Sequence, residues 1–169
     1  MKCVVTGATG HIGNVLVKNL YSHGYEVTAV VLPKDDISMI EDYSTIVYGN
    51  ILDQDFLESV FQGNDIVFHL AGIVEIGSGK KKLIHKVNVE GTRNALSLAA
   101  RHQIGRMIHV SSIHAIPEKP IGEIISETDV FDENLVKGEY AKSKAVASGL
   151  ALQAAREGLN LSVVHPSGI

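Results

Sequence analysis

Lys2-Cys3-Val4-Val5-Thr6-Gly7-Ala8-Thr9-Gly10-His11-Ile12-Gly13-Asn14-Val15-Leu16-Val17 is the stretch that decides the fold. The run from Lys2 to Thr6 is short, apolar and partly β-branched, which suits a strand. Ile12–Ser22 then carries apolar residues at helical spacing. Glycines fall between the two at positions 7, 10 and 13. Gly7 permits a tight turn, Gly10 lets the backbone approach a diphosphate, and Gly13 lets the helix pack close to the sheet. The mouth of the helix adds unpaired N–H groups and a partial positive charge. Three glycines at this spacing are a weak signal alone. The strand before them and the helix after them make a phosphate cradle for a dinucleotide the expected reading.

Outward from this turn, β-branched runs alternate with longer helical patterns. Strands are predicted at Lys2–Thr6, Glu26–Val31, Thr45–Tyr48, Asp65–Leu70, Arg106–Ser111 and Asn160–His165. Most are near-continuous apolar runs, as expected of strands covered on both faces. Helices are predicted at Ile12–Ser22, Asp55–Phe61, Lys81–Arg101 and Glu139–Glu157, with Asp35–Asp42 either a short helix or a loop. Gly24 stands where a left-handed helix C-cap is common, and Asp53 can cap the helix that follows it. The alternation predicts an α/β fold: one domain over residues 1–169 with a Rossmann-type, doubly wound parallel sheet of about six strands and helices on both faces. The irregular stretch Ile113–Gly138, with Pro117, Pro120 and Gly122, is long enough to suggest a functional or mobile loop.

Composition narrows the class. With 169 residues, 45% of them hydrophobic and 20% charged, the chain can bury a sizeable core. A net charge of −4 gives no reason to expect nucleic acid or an anionic membrane as partner. No apolar stretch is long enough for a secretory core or a membrane span, so a cytoplasmic address is expected. The single cysteine, Cys3, excludes an intramolecular disulfide and reads as a small apolar strand residue. His69, His109 and His165 lie on different strands, and no histidine pair shows ligand spacing with an acid. No metal site is expected.

The catalytic reading starts at Tyr140-Ala141-Lys142-Ser143-Lys144. Four residues apart, Tyr140 and Lys144 share one helix face. A phenol titrates near about pH 10, and a fixed ammonium favours its ionised form. The pair is thus a sensible acid/base for a proton on an alcohol or carbonyl oxygen. Ser111-Ser112 ends the fifth strand, and the carboxyl ends of such strands face the ligand crevice. A hydroxyl there can hydrogen-bond the reacting oxygen.

The end of the second strand reads Val30-Val31-Leu32-Pro33-Lys34-Asp35-Asp36. No carboxylate stands at the strand end itself. Lys34 could meet a ribose 2′-phosphate, while Asp35 or Asp36 could meet a 2′-hydroxyl. The cofactor stays open as NAD or NADP, with Lys34 tipping the reading slightly to NADP.

Thr6–Gly13, His69-Leu70-Ala71-Gly72, Val87-Asn88-Val89-Glu90-Gly91-Thr92, Val110-Ser111-Ser112 and Tyr140–Lys144 occur in one order along the chain. In that order they resemble the extended short-chain dehydrogenase/reductases of the NAD-dependent epimerase/dehydratase family, which includes sugar-nucleotide epimerases and dihydroflavonol-reductase-like enzymes. The resemblance implies hydride transfer at a hydroxyl-bearing carbon by a Ser112, Tyr140 and Lys144 triad, with Asn88 as a fourth catalytic-site residue. It implies cofactor contacts at Gly7, Thr9, Gly10, His11, Ile12, Gly13, Asn50, Ile51, Leu70, Ala71, Gly72, Tyr140, Lys144 and Pro166. Many members have Asp where this chain has Asn50, whose amide oxygen can still accept from an adenine amine. The partner implied is a small molecule, a nucleotide sugar or a ketone or alcohol. Helices matching Lys81–Arg101 and Glu139–Glu157 often pair across a dimer in that family, so the alanines along both suggest a homodimer.

Three further expectations complete the reading. Lys80-Lys81-Lys82 opens a helix, a poor place for cations, which hints at a grip on a phosphorylated substrate. The resembling family continues past the segment that ends here at Ile169. A missing C-terminal substrate domain is therefore expected, and this chain reads as a shortened product or fragment with uncertain turnover. The alternative to an oxidoreductase, epimerase or dehydratase is a non-catalytic dinucleotide-binding sensor or scaffold, or an inactive fragment that keeps only cofactor binding. A P-loop nucleotidase is disfavoured because no Lys-Ser/Thr follows the glycines.

Overall fold

A computed structural model of the chain describes residues 1–74 and 81–168. Its centre is one parallel sheet of six strands: β1 (Lys2–Thr6), β2 (Glu26–Val31), β3 (Thr45–Tyr48), β4 (Ile66–His69), β5 (Arg106–Val110) and β6 (Leu161–Val164). The order across the sheet is β3-β2-β1-β4-β5-β6. The chain starts in the middle, builds outward to β3, then returns to the other side of β1. Winding reverses between β1 and β4, and their carboxyl ends part there to open a crevice.

Alternation along each strand feeds two cores. Cys3, Val5, Val27, Ala29, Val31 and Ile66 pack on one face with Val17 and Leu20 of α1 (His11–Ser22). Val4, Val30, Val67 and Met107 pack on the other with Leu57 and Phe61 of α2 (Gln54–Phe61), Ala95, Leu98 and Ala99 of α4 (Gly91–Arg101) and Ala151 of α5 (Glu139–Arg156). Helices thus cover both faces, as strands apolar on both sides require. Among the described residues, no helix is long and apolar enough to cross a membrane.

Local chemistry sets the boundaries. Asp53 accepts from the Phe56 N–H at 3.1 Å and so caps α2. Gly24 is left-handed at φ 79°, just past α1. The later strands are shorter than expected: Asp65, Leu70, Ser111, Asn160 and His165 fall outside them. Leu70 N–H still bonds the Thr6 carbonyl at 3.1 Å and Ser111 N–H the Val164 carbonyl at 2.9 Å, after which the chain turns into the crevice. Asp35–Asp42 forms no α-helix: bends lead to one 3₁₀ turn at Glu41–Tyr43. The stretch Ile113–Gly138 is irregular apart from 3₁₀ turns at Ile113–Ala115 and Glu133–Leu135.

The expected helix over Lys81–Arg101 is corrected in its middle. It runs as α3 (Lys81–His85), a π-turn (Lys86–Glu90) and α4. Residue periodicity cannot reveal one widened turn, because the change lies in the hydrogen-bond ladder. Ala95, Ala99, Ala145, Ala147 and Ala151 are fully buried within the chain itself. Those alanines let α4 and α5 settle on their own sheet. Lys80 lies outside the described residues, and Lys81 is paired with Glu139 at 2.9 Å.

Leu57 and Phe61 have no exposed surface, so the α2 interface is a sensitive gauge of this core. Phe61→Ala is expected to cost about 3–5 kcal/mol, and Asp53→Ala about 1 kcal/mol, in urea denaturation. Equal losses from the two variants would contradict the packing described.

Candidate active site

The carboxyl ends of β1, β4 and β5 deliver their loops to one crevice with two lobes. One lobe, about 470 Å³, is lined by His11, Ile12 and Gly13 at the α1 mouth, by Ser112 and His114 after β5, by Tyr140 and Lys144 of α5, and by Pro166. The other, about 280 Å³, is lined by Thr9, Asp35, Asn50, Ile51 and Ala71. Gly7, Gly10, Leu70 and Gly72 line both. The glycine turn is therefore the ridge between two compartments, the shape needed to hold two ends of a dinucleotide with its phosphates over the ridge.

The turn itself is tight. Gly7 is left-handed at φ 71°, and a Cβ there would lie 2.7 Å from the Ala71 nitrogen. A Cβ on Gly13 would lie 2.9 Å from Cα of Ala8. No side chain caps the N-terminus of α1. The first N–H groups of the helix therefore face the ridge, available to an anion.

A polar network backs the lobe lined by Ser112, Tyr140 and Lys144. Asn88, in the π-turn, is 1% exposed. Its Oδ1 accepts from Ile73 N–H at 2.7 Å, and its Nδ2 donates to the Ile73 carbonyl at 3.0 Å and to Ser143 Oγ at 2.9 Å. Ser143 Oγ in turn donates to the Tyr140 carbonyl at 2.7 Å. Asn88 does not itself line either lobe. It ties the loop after β4 to the start of α5.

Lys144 is 6% exposed, and its Nζ donates to the Val110 carbonyl at 3.0 Å. Burial pulls its ammonium down to about 8. Gly72 leaves room for it: a Cβ there would come within 3.2 Å of Asn88 Oδ1 and 3.3 Å of Lys144 Nζ. Ser112 Oγ accepts from His114 N–H at 3.2 Å, which starts the 3₁₀ turn. His114 then lies edge-on to Tyr140, ring centroids 6.2 Å apart.

Beneath the lobe, the Thr92 hydroxyl donates to the Asn88 carbonyl at 2.7 Å. Its one proton is thereby spent, so His69 Nε2 donates to it at 3.1 Å and His69 Nδ1 accepts from Thr6 Oγ1 at 2.8 Å. Burial, with Lys144 nearby, pushes His69 down to about 3, which keeps it neutral.

Every residue expected at the cofactor lines one lobe or both. Ser112, Tyr140 and Lys144 share a lobe, with Asn88 behind them. Sequence reasoning passed over His114. Its signal was its place two residues beyond Ser112, where the chain is still leaving the strand end. At the other lobe, Asp35 Oδ2 accepts from Thr9 Oγ1 at 2.9 Å and from Leu32 N–H at 3.0 Å. Asp35 thus folds back onto the glycine turn, while Lys34 does not line the lobe.

Residues 4–163 match the 3-beta hydroxysteroid dehydrogenase/isomerase family. The chain is 30% identical over its whole length to sterol demethylase protein B of Methylococcus capsulatus, covering 52% of that protein. It is 33% identical over 96% of its length to cinnamoyl-CoA reductase 1 of Oryza sativa, again covering 52%. The crystal structure of gox2253 superposes with a TM-score of 0.88 at 31% identity, over 97% of this chain and 50% of that one. The chain thus spans about half the length of the curated relatives it matches. The glycine ridge, the matched span and these relatives agree: the chain belongs to the 3-beta hydroxysteroid dehydrogenase/isomerase family, within the extended short-chain dehydrogenases.

Proposed function

We propose that the two-lobed crevice binds NAD and serves an oxidoreductase that moves a hydride to or from a hydroxyl-bearing carbon of a small molecule. The observation that carries this reading is the convergence of Ser112, Tyr140 and Lys144 on the lobe that adjoins the uncapped mouth of α1. Epimerisation or dehydration would begin with the same step. The family and its reductase relatives support the chemical class.

The residues fit a dinucleotide. Gly7 and Gly13 leave a cradle that a Cβ would fill, and the first N–H groups of α1 suit the phosphates. Asn50 and Ile51 border the adenine side. Asp35 decides the ribose: Oδ2 is held by Thr9 and Leu32, leaving Oδ1 to accept from a 2′-hydroxyl, while its charge opposes a 2′-phosphate. That arrangement favours NAD, against the slight tilt to NADP drawn from Lys34.

A bound nicotinamide supplies the hydride acceptor or donor. The chain's own groups manage the proton. The Tyr140 phenolate takes the hydroxyl proton as the carbon is oxidised, and the phenol returns it on reduction. Lys144, fixed by the Val110 carbonyl one helical turn from Tyr140, offers N–H groups to the nicotinamide ribose. Ser112 hydrogen-bonds the reacting oxygen. Asn88 acts at a distance, holding α5 and the Gly72 loop in register.

Titration by fluorescence should show NADH binding about tenfold or more tighter than NADPH, with Asp35→Asn narrowing the gap. Binding of neither would sink the cradle. Tyr140→Phe should lower NAD-coupled oxidation of an alcohol panel by about a hundredfold or more, with NADH affinity nearly unchanged. Undiminished turnover would refute the proton role. Lys144→Met should gain about 1–2 kcal/mol of cofactor-free stability at pH 7, because a buried ammonium is removed. The sign follows from linkage. The folded value, about 8, lies below the unfolded one near 10.5. The unfolded chain therefore binds more protons between them, and wild-type stability rises with pH across that window. Melting curves at pH 7 and pH 10 should show the advantage of Met shrinking.

A further inference from the structure

A second polar row on the α5 side of the sheet is not used by the chemistry above. His69 and His109 are cross-strand partners on β4 and β5, with ring centroids 5.5 Å apart and stacked. His69 is satisfied by Thr6 and Thr92. His109 is 1% exposed, and neither ring nitrogen has a partner among the described residues. His165, just past β6, also has two buried nitrogens without partners, and its ring stacks on Phe131 at 5.4 Å. Imidazole nitrogens at such depth are costly when bare, and a bound water satisfies them.

Placement gives the row a direction. His109 faces Val163 across the β5–β6 ladder, so His165 sits two residues farther along the same face of the next strand. Lys144 reaches the row from α5, its Nζ bonded to the carbonyl of Val110, the residue after His109. The titratable groups around His109 are His69 on β4, Lys144 on α5 and His165 beyond β6, and Glu127 of the long loop acts on His165. Burial foremost, then these neighbours, holds His109 neutral. The row thus runs from the buried ammonium to a partly buried histidine at the sheet edge, whose ring nitrogens are themselves covered.

We propose that His109 and His165, joined by buried water, form a proton route from Lys144 to solvent on the β6 side of the sheet. The proposal rests on the reading that the crevice holds nicotinamide and substrate. Each alcohol oxidised sends its hydride, with the electron pair, to nicotinamide and leaves one proton on Tyr140. With both lobes filled, that proton needs an outlet. Lys144 gives a proton inward and regains one from Tyr140. A neutral imidazole takes the proton on its bare nitrogen, releases another from the opposite nitrogen, and resets by rotating its ring before the next proton arrives. His109 touches neither cofactor nor substrate and serves only through Lys144.

The test follows exchange of the Lys144 Nζ protons with water, by NMR, on the chain saturated with NADH. His109→Phe should slow exchange about tenfold or more, and His109→Gln, whose amide can hold the water, should restore much of it. NADH affinity should be the same in all three proteins. An exchange rate unchanged by His109→Phe overturns the route. If that variant fails to fold, His165→Phe at the outer end should give the same slowing, and an unchanged rate there is equally decisive against it. A chain that does not bind NADH overturns the cofactor reading itself, which the titration reports separately, and removes the need for the outlet. An atomic-resolution crystal structure should show a water about 3 Å from a His109 ring nitrogen; a dry ring overturns the proposal.

Discussion

At the β1–α1 turn, three backbone segments share a space that one methyl group would fill. The turn at Gly7 presses on Ala71, and the start of α1 at Gly13 presses on Ala8. This contact sets the height at which the chain leaves β4, and so the position of Gly72. Gly72 in turn leaves room for the Asn88 amide and the Lys144 ammonium. The glycine ridge and the lobe lined by Tyr140 and Lys144 are therefore one piece of geometry. A side chain at the ridge would disturb both, because close-packed backbone has little slack to absorb it.

The two faces of the sheet have different characters for a reason. On the α1 face, packing is almost wholly apolar. On the opposite face, the carboxyl ends of β1, β4 and β5 carry Thr6, His69, His109 and Ser111, and α5 meets them with Lys144 and Ser148. Ser111 and Ser148 bond at 2.6 Å, and Asn88 spends its whole amide on Ile73 and Ser143. Buried polar groups of this kind specify one arrangement when satisfied and are costly when not. Both faces carry an apolar core, and the polar groups at the crevice end of the second hold side chains at fixed distances.

Much of this was legible from the residues. β-branched runs and helical spacing marked all six strands and the long helices, and the glycine turn and the Tyr140–Lys144 pair stood out because few residue types suit those roles. The rest depended on what meets what in space. Strand ends shifted because Leu70 and Ser111 still make ladder bonds while the chain is already turning. Asp35 gained meaning only when it folded back onto Thr9. The resemblance marked Asn88, but only the widened turn shows where its amide goes. No spacing rule could show that His69 is satisfied and His109 is not, since the partners of His69 come from β1 and α4 and none of the described residues reaches the His109 nitrogens.

The π-turn at Lys86–Glu90 holds one residue more than a regular turn would need. An α-helix advances about 100° per residue. Everything before the turn is therefore out of phase with α4 by roughly that angle. Removing a single residue there would repair the ladder and satisfy the local backbone better. It would also swing the Asn88 amide off Ile73 and Ser143, unlatching the β4 exit loop from α5. The length of this segment, more than its composition, therefore sets where the Asn88 amide falls.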